Sequence, residues 1–155
     1  MRLFFAILLC KLVRLVLRLA GRGGTALPGK IALRVCPDML SRLSRGVTAV
    51  MVTGTNGKTT TCRMLEQMLR DAGRDCFANR SGSNLERGIA ADFAANANLF
   101  GRPKRRFAVI ECDEAAFRRV CGEVKPAVAV VTNIFRDQLD RYGEVTHTLA
   151  GIREG

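Results

Sequence analysis

The stretch that most constrains this chain is Val47 to Thr61, VTAVMVTGTNGKTTT. Val47, Val50, Met51 and Val52 form a short, mostly apolar run that suits a strand buried on both faces. The run breaks at once into Thr53-Gly54-Thr55-Asn56-Gly57-Lys58-Thr59. Glycines at 54 and 57 let the backbone turn tightly and point successive N–H groups inward, which suits a polyphosphate held at the N-terminus of the next helix. Lys58 supplies a point charge toward the outer phosphates, and Thr59 a hydroxyl for Mg²⁺. Val52 stands where the usual G-x-x-x-x-G-K-[ST] pattern has its first glycine, so the match is partial. The following segment restores its weight, because Met64, Leu65, Met68, Leu69 and Ala72 make one apolar helical stripe ending at Gly73. The alternative is a plain glycine turn between strand and helix, which has no need of Lys-Thr directly behind its second glycine.

At 155 residues the chain fits one domain with enough apolar content for a real core. The formal net charge of +11 is uneven: residues 1–46 hold nine Lys/Arg and one acid, the rest sixteen basic and thirteen acidic residues. Basic character therefore belongs to the front end, which argues against a nucleic-acid groove over the remainder. That segment also lacks stacking aromatics apart from Phe4 and Phe5. Cys10, Cys36, Cys62, Cys76, Cys112 and Cys121 contain no C-x-x-C spacing, so they read as reduced thiols acting as small hydrophobes in a cytoplasmic protein, without support for zinc.

Leu3 to Cys10 is apolar like a signal-peptide core, but Lys11, Arg14 and Arg18 follow and no small-residue cleavage site appears. The run is far short of the roughly 20 residues that span a bilayer. Lys11, Arg14, Arg18 and Arg22 recur at helical steps opposite a broad apolar face, as in a helix lying on an anionic membrane surface. A helix packed against its own protein accounts for the pattern equally well. Gly21 to Gly24 reads as a flexible joint and Pro28-Gly29 as a turn. The alternation of Ile31, Leu33 and Val35 with Ala32 and Arg34 predicts a half-buried strand, and Pro37 opens a short helix through Leu43.

Beyond the glycine loop, Cys76-Phe77-Ala78 is a second strand running into the polar loop Asn79 to Asn84. Ser83 and Glu86 have capping-box spacing, with Leu85, Ile89 and Phe93 as the helical apolar face. Phe107 to Ile110 is a third strand ending in Glu111-Cys112-Asp113-Glu114. A carboxylate at that strand tip is placed to hold Mg²⁺, and Glu111 is the candidate, while Asp113 suits the cap of the next helix. Phe117, Val120 and Cys121 give that helix its core face, and Pro126 breaks it. Ala127 to Val131 is a fourth strand, followed by the polar segment Thr132 to Glu144. His147, the sole histidine, reads as a surface residue. Four apolar strands alternating with amphipathic helices imply an α/β fold, a parallel sheet with helices on both faces. The chain divides into a basic amphipathic helix with its connecting segment, 1–46, and a P-loop-bearing domain, 47–155, whose last helix is still running at Gly155.

TGTNGKTTT at Thr53 to Thr61, the Glu111 strand end and TNIFRDQLDRYGE at Thr132 to Glu144 resemble the central ATP-binding domain of the Mur ligases. Two features point further, to the ligase subunits of lipid II isoglutaminyl synthase, the MurT type. One is GRGGTALPGKIAL at Gly21 to Leu33; the other is Gln138, where amino-acid-adding relatives carry histidine. The resemblance implies an ATP- and Mg²⁺-dependent carbon–nitrogen ligase of peptidoglycan synthesis. It would amidate the α-carboxylate of D-isoglutamate in lipid II through an acyl phosphate, with ammonia from a GatD-like glutamine amidotransferase. By the same resemblance Gly54, Thr55, Asn56, Gly57, Lys58, Thr59 and Thr60 hold the nucleotide, with Asn79, Asn133 and Asp137 around it. Thr59 and Glu111 hold the metal, and Lys58 and Glu111 are the residues closest to the chemistry. Relatives of this type continue into a zinc-binding insertion and a C-terminal domain. The chain alone is therefore expected to bind ATP weakly without turnover, in the cytoplasm or at the inner face of the cell membrane. Other readings are an amino-acid-adding Mur ligase, a folylpolyglutamate synthase, and a non-catalytic nucleotide-binding or membrane-adaptor fragment.

Overall fold

The apolar runs read from the sequence become four parallel strands in the computed structural model, which describes residues 1–21, 24, 26–79, 84–134, 150 and 152–154. They are β1 (Thr48–Thr53), β2 (Cys76–Ala78), β3 (Phe107–Glu111) and β4 (Val128–Val131), in the order β2-β3-β1-β4. Val52 is in register with Glu111, and Thr53 with Val131. The C-terminal ends of three strands therefore stand side by side, where open α/β sheets present their ligand-binding loops.

Helices cover both faces, as the pattern of strands and helices implied. On one face α4 (Lys58–Asp71) packs Cys62, Leu65 and Leu69 against Val52 and Val109. On the other lie α5 (Glu86–Asn96) and α6 (Glu114–Val124). Outside α5 sits a further helical layer, α1 (Arg2–Leu19), α2 (Ala26–Val35) and α3 (Met39–Leu43). With the sheet below and α1 and α2 above, α5 is buried on nearly every side, from Gly88 through Ala94. Its central run of Gly88, Ile89, Ala90, Ala91, Phe93 and Ala94 is small or apolar all round, as suits a helix packed on several sides, and the carboxylate within it, Asp92, is paired with Arg14. Phe93 meets Phe77 of β2 edge-to-face at 5.1 Å between ring centroids.

Three local expectations change. Residues 31–35 are helical in α2, not a strand, and Pro28-Gly29 lies inside that helix instead of forming a turn. Five alternating residues cannot separate the two periods, and proline is tolerated in a helix's first turn. The buried positions are Pro28, Gly29, Ala32 and Cys36, a helical spacing. Gly29 makes it possible: a Cβ there would lie 1.7 Å from the Arg87 carbonyl oxygen, so only glycine lets α2 approach α5 this closely. On α4, Met64 and Met68 are exposed at 59% and 62%, so the buried stripe runs through Cys62, Leu65, Glu66 and Leu69. The capping box at Ser83, the basic position Arg22 and His147 fall outside the described residues, whereas Asp113 caps α6 by accepting from the Ala115 N–H at 3.0 Å.

The front helix packs on its own protein. Ala6, Ile7 and Cys10 of α1 are buried in the main core. Lys11 donates to the Ala97 carbonyl oxygen, and Arg14 pairs with Asp92 of α5 at 3.1 Å. Two members of the basic stripe thus tie α1 to α5. Asp92 is 7% exposed, and burial raises its pKa against the lowering effect of Arg14.

Candidate functional site

The loop between β1 and α4 is built on two left-handed glycines. Gly54 has φ +126°, and a Cβ there would lie 2.3 Å from Thr132 Oγ1 and 2.6 Å from the Asn133 carbonyl oxygen. Gly57 has φ +83° and caps α4 with no side chain, which leaves the first-turn N–H groups of that helix uncovered by a capping group. The residues after β4 brace this loop. Thr55 N–H donates to the Asn133 carbonyl oxygen at 2.9 Å, and Asn56 N–H to Asn133 Oδ1 at 2.9 Å. Asn133 Nδ2 and Thr132 Oγ1 both donate to the Asn56 carbonyl oxygen, at 3.0 Å and 2.8 Å. Asn133 therefore shapes the loop from beneath, and the close fit at Gly54 is the contact it rests on.

Lys58 begins α4, and its ammonium donates to the Gly54 carbonyl oxygen and to that of Thr55 at 3.2 Å. It also pairs with Glu114 at 3.3 Å, the two side chains being 14% and 20% exposed. Sequence reasoning gave Glu114 no role. Its position at the start of α6, three residues beyond the Glu111 strand tip, was the available signal. Thr59 Oγ1 donates to Glu111 Oε2 at 2.9 Å, which brings together the two residues expected to hold a metal. Two hard oxygen donors on facing elements suit Mg²⁺, which takes few protein ligands and keeps several waters.

Asn79 follows the short strand β2 and is 7% exposed. Its Nδ2 donates to the Glu111 carbonyl oxygen at 2.7 Å, and its Oδ1 accepts from the Glu111 N–H at 2.8 Å. The side chain thus extends the β2–β3 ladder by one step and fixes the backbone that carries Glu111. Thr60 lies in the first turn of α4, whereas Asp137 and Gln138 fall outside the described residues. Beside the Thr59–Glu111 pair runs a cleft of ≈ 410 Å³, bordered by Asn79, Arg63, Glu66 and Arg70.

Cys62 borders the same cleft, yet burial, with Glu111 and Glu66 nearby, pushes its thiol up to about 12. Burial likewise raises Cys112 to about 12 and Cys10 to about 11. All six cysteines are buried and free, so these three hold their protons at neutral pH and serve as packing. What the assembled loop ends offer is a backbone cradle, one ammonium, and a hydroxyl–carboxylate pair. That set suits phosphoryl chemistry, which depends on positioning and charge neutralisation.

The Mur ligase middle domain family matches residues 52–151. The chain is 41% identical over 155 residues to the lipid II isoglutaminyl synthase (glutamine-hydrolyzing) subunit MurT of Staphylococcus aureus, covering 99% of this chain and 35% of that protein. Against the same subunit of Streptococcus pneumoniae it is 43% identical over 134 residues, covering 86% of this chain and 29% of that one. The UDP-N-acetylmuramate–L-alanine ligase of Mycolicibacterium vanbaalenii is 37% identical over 115 residues, covering 70% and 20%. Among solved structures, MurF of Acinetobacter baumannii superposes with a TM-score of 0.64 at 22% identity, over 80% of this chain and 26% of that chain, which shows the shared fold. The chain spans between a fifth and about a third of the length of the curated relatives it matches.

Proposed function

The chain belongs to the Mur ligase family through its middle domain, and from that premise we propose that residues 47–155 form the ATP-binding part of an ATP-dependent amide ligase of peptidoglycan synthesis. The observation that carries this reading is the Gly54-to-Thr59 loop locked to Asn133 and facing Glu111 across 2.9 Å. The loop amides and Lys58 hold the β- and γ-phosphates, with Lys58 leaving its carbonyl partners to do so. Thr59 and Glu111 are the residues that would hold Mg²⁺, which supplies charge neutralisation at the transferring phosphate. Asn79 keeps Glu111 at that point, and Asn133 and Thr60 border the nucleotide, to which the family resemblance adds Asp137.

The substrate is the lipid II stem peptide carrying D-isoglutamate. Its α-carboxylate oxygen attacks the γ-phosphorus and the bond to the β-phosphate oxygen breaks, releasing ADP and leaving an acyl phosphate. Ammonia nitrogen then attacks the acyl carbon, the carbon–oxygen bond to phosphate breaks, and inorganic phosphate leaves with the proton that the ammonia nitrogen gives up, so that D-isoglutamine remains. The ammonia comes from a GatD-like glutaminase partner. Identity of 41% and 43% to MurT subunits supports this choice of acceptor and partner. A second reading, addition of L-alanine to UDP-N-acetylmuramate, is favoured by the identity of 37% to a ligase of that name.

Isotopically labelled ammonia distinguishes them. The chain, within a protein completed to the length of its MurT relatives, is supplied with ATP, Mg²⁺ and lipid II, or with L-alanine and UDP-N-acetylmuramate. ATP-dependent label at the stem-peptide α-carboxyl, lost in Lys58→Ala, supports the first reading. L-Alanine addition with unlabelled lipid II overturns it in favour of the second.

A further inference from the structure

The face of α1 that points away from the protein is apolar, not basic. Phe5, Leu12, Val16 and Leu19 are 56%, 50%, 62% and 80% exposed, and with Leu9 they recur at three- and four-residue steps along one side of the helix. The opposite side is fixed: Ala6, Ile7 and Cys10 are buried, and Lys11 and Arg14 are bound to α5. The stripe is therefore a rigid face of the folded protein. A helix normally buries such a stripe against its own core; here the core already occupies the other side.

We propose that this outward face of α1 docks on an anionic lipid bilayer, with the helix lying parallel to the surface. Charge decides the occupant. Residues 1–37 contain no Asp or Glu and seven Lys/Arg, and of these Arg2, Arg18, Lys30 and Arg34 are exposed on α1 and α2. Asp38, the exposed acid that follows, pairs with Arg42 and lies in the field of Arg2, which leaves Arg18, Lys30 and Arg34 as the cations of α1 and α2 that complement anionic headgroups while the stripe meets acyl chains. Phe100, 79% exposed and 6.1 Å from Phe4 between ring centroids, adds an aromatic anchor at the N-terminal end of the stripe. Among the described residues no helix is long and apolar enough to cross a membrane. At 18 residues α1 is about 27 Å long and carries four cations, so it rests on the surface. This inference concerns a face remote from the nucleotide loop and stands independently of the proposed ligase reaction.

The test is flotation of the full chain with vesicles of equimolar phosphatidylglycerol and phosphatidylethanolamine, and with pure phosphatidylcholine. The chain floats with the anionic vesicles, floats far less with the zwitterionic ones, and is released by salt. L12E/V16E lowers anionic-vesicle partition at least about tenfold at unchanged melting temperature and Mg-ATP affinity. The milder L12A/V16A, which puts no charge on the helix, lowers it several-fold. Failure of the parent chain to float, equal flotation of both variants, or a stripe that mediates self-association in light scattering without any vesicle binding overturns the proposal.

Discussion

Lys58 sits between two demands. Its ammonium is held by the Gly54 and Thr55 carbonyl oxygens and by Glu114, yet the same charge is what a phosphate would seek. On the proposed reading Glu114 competes with the nucleotide for this charge, by about 0.7 kcal/mol, the equivalent of a threefold change in affinity. Glu114→Gln is expected to tighten Mg-ATP binding about threefold in calorimetric titration; weaker binding would make Glu114 an orienting group for Lys58 instead. Gly54→Ala acts through shape, because the added methyl meets Thr132 Oγ1 and the Asn133 carbonyl oxygen in a left-handed backbone position. It should cost about 1–3 kcal/mol of stability by thermal denaturation and weaken nucleotide binding more than tenfold. An affinity matching the parent would mean that the loop can reshape. At this scale the meeting of Lys58, Thr59 and Glu111 at neighbouring strand ends was legible in residue type and local spacing, while the chemistry given to them is the proposal. The bracing by Asn79, Thr132 and Glu114 was not, since it depends on which strands become neighbours.

Element by element, the sheet followed from its apolar runs, whereas the front of the chain misled. The run at 31–35 was too short to fix a period, and the deciding contact, Gly29 against the Arg87 carbonyl oxygen, lies between helices far apart in sequence. For the same reason the basic stripe of α1 did not reveal which of its members would be used internally. Arg14 is one of them: removing it leaves Asp92 buried without its cation. Asp92 already has a raised pKa, so the folded state binds its proton more tightly than the unfolded state does, and stability falls as pH rises from the ordinary carboxylate range through the folded value. Arg14→Met extends that window upward. Its expected cost is about 3 kcal/mol at neutral pH, shrinking as the solution is acidified and Asp92 becomes neutral in both proteins. Denaturation at several pH values checks this; a pH-independent difference would mean that the loss is one of packing only.

For the whole molecule, the order β2-β3-β1-β4 sets the Gly54-to-Thr59 loop between the ends of β3 and β4, and the register of Val52 with Glu111 and Thr53 with Val131 makes those ends coincide. A single architectural fact thus brings Asn133 beneath the loop and Glu111 opposite Thr59. Strand order was absent from the linear pattern, which fixed only that parallel strands alternate with helices. The helical layer α1–α3 lies beyond α5, on the sheet face opposite α4, so substitutions in the outward stripe of α1 and in the loop should act independently. The central claim, that the Gly54-to-Thr59 loop grips a nucleotide's phosphates through Lys58, is tested most directly by titrating Mg-ATP into the folded chain and its Lys58→Ala variant in a calorimeter. The account predicts saturable uptake by the parent and at least about a tenfold loss in the variant, the size of one charge-assisted hydrogen bond. No uptake by the parent, or equal affinity in the two proteins, would contradict it.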